Sequence, residues 1–162
     1  MLIDFVGLGS MGLGMATSLL KVGHDVRGYD PDMARIEMLC AQGGVAYGDP
    51  KAPPVDAIVC VVLHADQTRD VLFGEQGVAA QLCKGGVIIS CATVSPAFAS
   101  EMEIEAFTHG HLYLDAPISG GAIKAAEGRL SIMASGTAEA FTAADPLLDA
   151  MSETIHHLGD RA

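Results

Sequence analysis

Three glycines, Gly7, Gly9 and Gly12, follow the apolar run Leu2-Ile3-Asp4-Phe5-Val6 in the spacing GxGxxG. Between a strand and a helix, that spacing could cradle phosphates. The first glycine makes the tight turn, the second lets the backbone approach a pyrophosphate, and the third lets the helix pack closely on the strand. The helix aims unpaired N–H groups and the positive end of its dipole at the same point, so an anion is favoured there without a lysine. Leu8, Ser10 and Met11 complete the candidate phosphate loop. An acidic residue about 20 positions on, at the tip of the second strand, would hold the ribose hydroxyls of a dinucleotide, and Asp30 stands there. Asp30-Pro31 could instead cap a helix, but Asp32 is available for that role. Asp30 would repel a 2′-phosphate and Pro31 supplies no cation for one, so NAD is expected over NADP. Arg35 is the one nearby residue able to reverse that preference.

A second stretch with chemical capacity runs from Asp115 to Gly128. Within it, Ser119, Gly120 and Gly121 offer a hydroxyl and side-chain-free N–H groups, the components of a carboxylate-binding nest, and Lys124 adds a positive charge close by. A turn with a solvated lysine is the plainer reading of the same residues.

The elements that must position these groups follow from periodicity. A helix is expected over 10–22, with Met11, Met15, Leu19 and Val22 on one face and Gly23 as its C-cap. A strand at 26–29 and a helix carrying Met33, Ile36, Leu39 and Cys40 come next. Residues 56–63 and 86–90 are near-continuous apolar runs, as strands buried on both faces of a parallel sheet should be. Ser95 can cap a helix with Pro96 at its first position and Phe98, Met102 and Phe107 inside. Further strands are expected at 112–114, 130–134 and 154–158, with a helix over 138–151. Residues 50–54, rich in proline, are the most loop-like. This alternation predicts an α/β fold: a Rossmann-like, doubly wound, mostly parallel sheet in a single domain. Ligands of such a sheet lie beyond the carboxyl ends of its strands. One rim would then gather the glycine turn, Asp30, Leu63, His64, Thr93 and the residues from Asp115 onward. Leu63, His64 and Thr93 are therefore candidate cofactor contacts, although a loop histidine is commonly just solvated.

Half of the 162 residues are hydrophobic, enough for one globular domain with a sizeable core. A net charge of −11 argues against nucleic acid and anionic membrane surfaces as partners, since both demand a basic face. No apolar run reaches the length of a bilayer span and no signal-like segment opens the chain, so a cytoplasmic location is expected. Cys40, Cys60, Cys83 and Cys91 lack CxxC spacing, and Cys60 and Cys91 lie in or beside apolar runs, as buried free thiols would. Neither His109 with His111 nor His156 with His157 has acidic or thiol companions at ligand spacing, so no metal is expected.

Taken together, Val6-Gly7-Leu8-Gly9-Ser10-Met11-Gly12 and Asp115-Ala116-Pro117-Ile118-Ser119-Gly120-Gly121 resemble the β-hydroxyacid dehydrogenase family, which includes 3-hydroxyisobutyrate and 6-phosphogluconate dehydrogenases. The wording of residues 7–16 and 116–128 is nearest its L-threonate dehydrogenase-like branch, and the resemblance runs along essentially the whole chain. It implies NAD(P) at the first motif, the carboxylate of a small hydroxy acid at Ser119, Gly120 and Gly121 with Lys124 in the same loop, and Thr93 beside the nicotinamide ribose. It also implies a catalytic lysine in a GxGxxxKxxxN motif after the last strand. An all-helical second domain should close the active site and make much of a homo-oligomer interface. Residues 1–162 carry neither feature: the chain reaches Gly159-Asp160-Arg161-Ala162 where the motif should begin, and Lys21, Lys51, Lys84 and Lys124 do not match its context. The expectation is thus a dinucleotide-binding domain over 1–162, belonging to an oxidoreductase that oxidises a small hydroxy acid by hydride transfer to NAD(P), without a catalytic residue of its own. A noncatalytic dinucleotide-sensing or interaction module is the alternative. A methyltransferase using the same glycine turn is disfavoured by the Ser119 loop.

Overall fold

Among the described residues, the first strand, β1 (Leu2–Val6), lies inside a nine-stranded sheet between two parallel neighbours, β2 (Asp25–Tyr29) and β4 (Val55–Cys60). The computed structural model describes residues 1–49 and 51–162. Outside β2 lies the two-residue β3 (Val45–Ala46), and outside β4 come β5 (Leu82–Ser90) and β6 (Leu112–Asp115), all parallel. The order 3-2-1-4-5-6 puts the topological switch between β1 and β4. Beyond β6, β8 (Leu130–Gly136) runs antiparallel to β6 and to the short β7 (Ile118–Ser119), and β9 (Ser152–Gly159) pairs parallel with β8.

Helices cover both faces. On one, α1 (Gly12–Lys21), α2 (Met33–Ala41), α5 (Gly121–Glu127) and α6 (Ala138–Met151) enclose a core that includes Phe5, Met15, Leu19, Val59, Ile89 and Leu147. On the other, α3 (Ala65–Phe73) and α4 (Pro96–Thr108) cover Ile58, Leu72, Ile88, Met102 and Tyr113. Because β4 and β5 feed both cores, neither face of them is polar, which explains their continuous apolar sequences. The doubly wound, mostly parallel α/β architecture is the one expected.

Several details differ from the sequence reading. Phe107, expected inside α4, is 78% exposed, because the buried stripe of that helix is Ala99, Met102, Glu103 and Ala106. The fourth strand ends at Cys60, which releases residues 61–63 to the rim, and β5 begins at Leu82, with Gly85 at φ +78 inside it. No connector separates α6 from β9, whose first residue, Ser152, donates its hydroxyl to the Leu148 carbonyl at 2.7 Å. Of the expected loop at 50–54, Pro50 lies outside the described residues.

One buried ion pair was not foreseen. Asp4 and Arg27 are register partners on β1 and β2, and the guanidinium meets the carboxylate at two points, Nε to Oδ1 at 2.6 Å and Nη2 to Oδ2 at 2.9 Å. The remaining nitrogen donates to the Pro53 carbonyl at 3.0 Å. Burial pushes the Asp4 carboxyl up while the guanidinium pulls it back toward the ionised form.

Candidate dinucleotide site

Parallel strands deliver their following loops to one rim: Gly7 after β1, Asp30 after β2, residues 61–64 after β4, 91–95 after β5 and Ala116 onward after β6. Gly7 has φ +89, a region L side chains avoid, and a methyl group there would overlap the Val61 carbonyl. On Gly12 it would overlap the Gly7 carbonyl. These two glycines let the protein pack on itself. Gly9 is different, because a Cβ added there would meet nothing within 4 Å. No side chain caps α1, so the open face of Gly9 adjoins a helix end whose N–H groups have no side-chain acceptor. A pyrophosphate fits that combination of free space and aligned donors.

Asp30 is joined to this turn. Its Oδ2 accepts from the Leu8 N–H at 2.7 Å and its Oδ1 from the Asp32 N–H at 2.9 Å. Asp32 caps α2 instead, accepting from the Ala34 N–H at 3.0 Å, so capping does not consume the Asp30 carboxylate. Asp32 also draws Arg35, Nε to Oδ2 at 3.8 Å, beside a cleft of about 400 Å³ that Arg35 shares with Gly9, Ser10, Leu13 and Met38. Asp30→Ala is expected to lower NAD affinity about tenfold and NADP affinity less, since it removes a ribose acceptor from both but a repelling charge only from the second. Calorimetric titration with each dinucleotide checks this. An unaltered chain that prefers NADP would mean that Arg35 rules the site.

Leu63 and His64 stand just before α3. Leu63 is 86% exposed, and His64 is the N-cap, its Nδ1 accepting from the Gln67 N–H at 3.4 Å. The histidine thus has a local structural role at its rim position. Thr93 is exposed in the β5–α4 loop, two residues before Ser95, whose hydroxyl accepts from the Phe98 N–H at 3.3 Å as the expected cap of α4.

Ser119 ends β7, exposed, and Gly120 at φ +139 swings the chain into α5. A Cβ on Gly120 would stand 3.2 Å from Lys124 Cβ and 3.0 Å from Leu130 Cδ2, so the lysine stem packs over the turn. The Lys124 ammonium lies 3.7 Å from Glu153, which also pairs with Arg129 at 3.2 Å. A substrate carboxylate here would share that ammonium with Glu153.

Gly14, not singled out in the sequence, ties the two loops together. A Cβ on it would lie 2.7 Å from the Ala126 backbone nitrogen, while Ser18 Oγ donates to the Ala125 carbonyl and Lys21 Nζ to the Ala126 carbonyl, each at 3.0 Å. Helix α5 is thereby fastened to α1, which fixes the Ser119 turn relative to the glycine turn. A fourth glycine after the motif, together with the alanines at 122, 125 and 126, was the available signal.

Asp115, at the tip of β6, is pushed up to about 6 by burial. A carboxyl raised above its ordinary value near 3.8 binds its proton more tightly in the folded chain. It therefore subtracts from stability as pH rises from about 4 through 6. Cys60 and Cys91 are buried free thiols, and burial raises both, Cys60 to about 12. Among the described residues no cluster of His, Cys, Asp and Glu is placed to hold a metal ion, and no helix is long and apolar enough to cross a membrane.

The strand order, the glycine turn at the switch point and the carboxylate at the tip of β2 define a Rossmann-type dinucleotide-binding domain. Residues 2–159 match the family described as the NAD binding domain of 6-phosphogluconate dehydrogenase, and the chain belongs to that family. It is similar to an L-threonate dehydrogenase of Cupriavidus necator, 39% identical over 159 residues, covering 97% of this chain and 54% of the relative. Among solved structures it is similar to a 3-hydroxyisobutyrate dehydrogenase from Salmonella typhimurium, with TM-score 0.92 and 39% identity, covering 99% of this chain and 56% of that one. The Mycobacterium tuberculosis 3-hydroxyisobutyrate dehydrogenase solved with L-serine aligns with TM-score 0.89 and 33% identity, over 99% of this chain and 55% of that one. The chain spans about half the length of the curated relatives it matches. It is an NAD-binding domain of the hydroxyacid dehydrogenase family.

Proposed function

We propose that residues 1–162 are the cofactor-binding half of a cytoplasmic, NAD-dependent dehydrogenase acting on a small hydroxy acid. The reading extends to an all-helical second domain that supplies the catalytic lysine and the homo-oligomer interface. The observation that carries it is the open face of Gly9 beside the uncapped start of α1, with Asp30 bonded to the same turn. When bound, NAD supplies a hydride acceptor. The residues here bind and orient. The backbone of residues 7–12 holds the pyrophosphate, Asp30 accepts from the ribose, and Leu63, His64 and Thr93 flank the nicotinamide half. Ser119 and the N–H groups of Gly120 and Gly121 receive the substrate carboxylate, with Lys124 adding charge. Because α5 is fastened to α1, the two reactants are held in fixed register, and such positioning contributes up to about 7–11 kcal/mol to a two-reactant step.

Proton transfer is not among the tasks assigned to these residues. The purified chain is therefore expected to bind NAD and yet form reduced cofactor only at background with a panel of three- and four-carbon hydroxy acids. Absence of an acid–base group alone forfeits about 10²–10⁴ in rate. Robust turnover would place the proton acceptor within residues 1–162, and Lys124→Ala would then be the first variant to assay.

A further inference from the structure

Among the described residues, five buried side-chain atoms have no hydrogen-bond partner, and three of them belong to the carboxyl tips of β5 and β6: Ser90 Oγ, Tyr113 Oη and Asp115 Oδ1. Ser90 and Asp115 are register partners, and Tyr113 precedes Asp115 by two residues, so all three share a face. Burying a carboxyl oxygen without a donor is unfavourable, and here burial is the sole influence on its ionisation, with no cation to offset it. Such groups persist where a ligand completes them. Asp115 is only half-buried, and it stands at the carboxyl tip of β6, the end of the sheet from which the loop carrying Thr93 leaves β5 and the chain toward Ser119 leaves β6. A dinucleotide divides at the switch point, one half over β1 and β2 where Asp30 lies and the other over β4 and β5, whose next neighbour is β6. The far half of NAD ends in a carboxamide, which carries two N–H donors.

We infer that Asp115 accepts a hydrogen bond from the nicotinamide carboxamide of NAD, an inference that rests on the dinucleotide reading above. The outer oxygen takes the N–H. The Ser90 and Tyr113 hydroxyls share that face without a hydrogen bond to the buried carboxyl oxygen, so the protein leaves the carboxyl's donor to a ligand.

Calorimetric titration of the 162-residue chain with three ligands separates the possibilities: NAD, its 3-acetylpyridine analogue, in which a methyl replaces the amide NH₂, and ADP-ribose, which has no pyridine ring. The wild-type chain should bind NAD about tenfold more tightly than the acetylpyridine analogue, the ordinary worth of one hydrogen bond to a charged acceptor. Asp115→Ala should bind the two equally with ADP-ribose affinity unchanged, and Asp115→Asn, which keeps an uncharged acceptor and the side-chain shape, should fall between. A preference that survives in both variants, or a wild-type chain that does not discriminate, overturns the assignment. So does an equal loss for all three ligands, which marks a purely structural residue. Failure of ADP-ribose to bind the wild-type chain would instead remove the dinucleotide reading, and this inference with it.

Discussion

Gly9→Val is expected to lower NAD affinity by about 100-fold or more while leaving the fold intact. The two effects separate because an added Cβ at Gly9 meets no protein atom within 4 Å and the residue lies outside the positive-φ region, so the unliganded chain has room for valine. What valine fills is the space beside the amino end of α1. Gly7→Ala and Gly12→Ala provide the contrast, since the first forces a methyl into the Val61 carbonyl and the second into the Gly7 carbonyl, and both should lose stability together with binding. Thermal unfolding alongside titration reads out both quantities. Unchanged NAD affinity in Gly9→Val would place the dinucleotide elsewhere.

Arg27→Ala should destabilise the chain by about 3–5 kcal/mol, a large part of the 5–15 kcal/mol that holds a typical domain together. The penalty comes from Asp4, whose carboxylate is 1% exposed and would be left without the guanidinium that meets it at 2.6 and 2.9 Å. Replacing both residues with apolar ones of similar volume should recover most of the loss, because the pair's attraction is largely offset by its own desolvation. Urea unfolding of the single and double variants measures the difference. A loss below about 1 kcal/mol in Arg27→Ala would show that water reaches Asp4.

Local pattern accounts for most of what could be read in advance. Residues 57–60 and 87–89 are apolar without a break because two helical layers need them, and Gly7, Gly9, Gly12 and Asp30 stand at distances that the strand–turn–helix–strand geometry dictates. Elements too short for a period were invisible. The two-residue strands β3 and β7 cannot display alternation, and α5 begins at two glycines that suggested a loop, although the left-handed Gly128 at its end is a helix-stop signal. Phe107 has the character of a core residue and falls one position beyond the buried stripe of α4.

Long-range partnerships were out of reach for a different reason. Asp4 with Arg27 and Ser90 with Asp115 become neighbours only through strand register, which no single segment encodes. The same holds for the bonds from α1 to α5, which link positions more than 100 residues apart. The separate uses of the motif glycines were legible from their spacing, and the fold adds the partners: a Cβ on Gly7 would meet the Val61 carbonyl and one on Gly12 the Gly7 carbonyl, whereas Gly9 leaves space for a ligand.

A crystal structure of the chain grown with NAD tests the central claim most directly. The predicted density places the pyrophosphate against the backbone of residues 9–12, the adenosine ribose hydroxyls within hydrogen-bond distance of Asp30, and the nicotinamide ring between Thr93 and Ser119. Density for the dinucleotide in the cleft between α1 and α2, against Arg35 and Met38 with Asp30 untouched, would contradict the account.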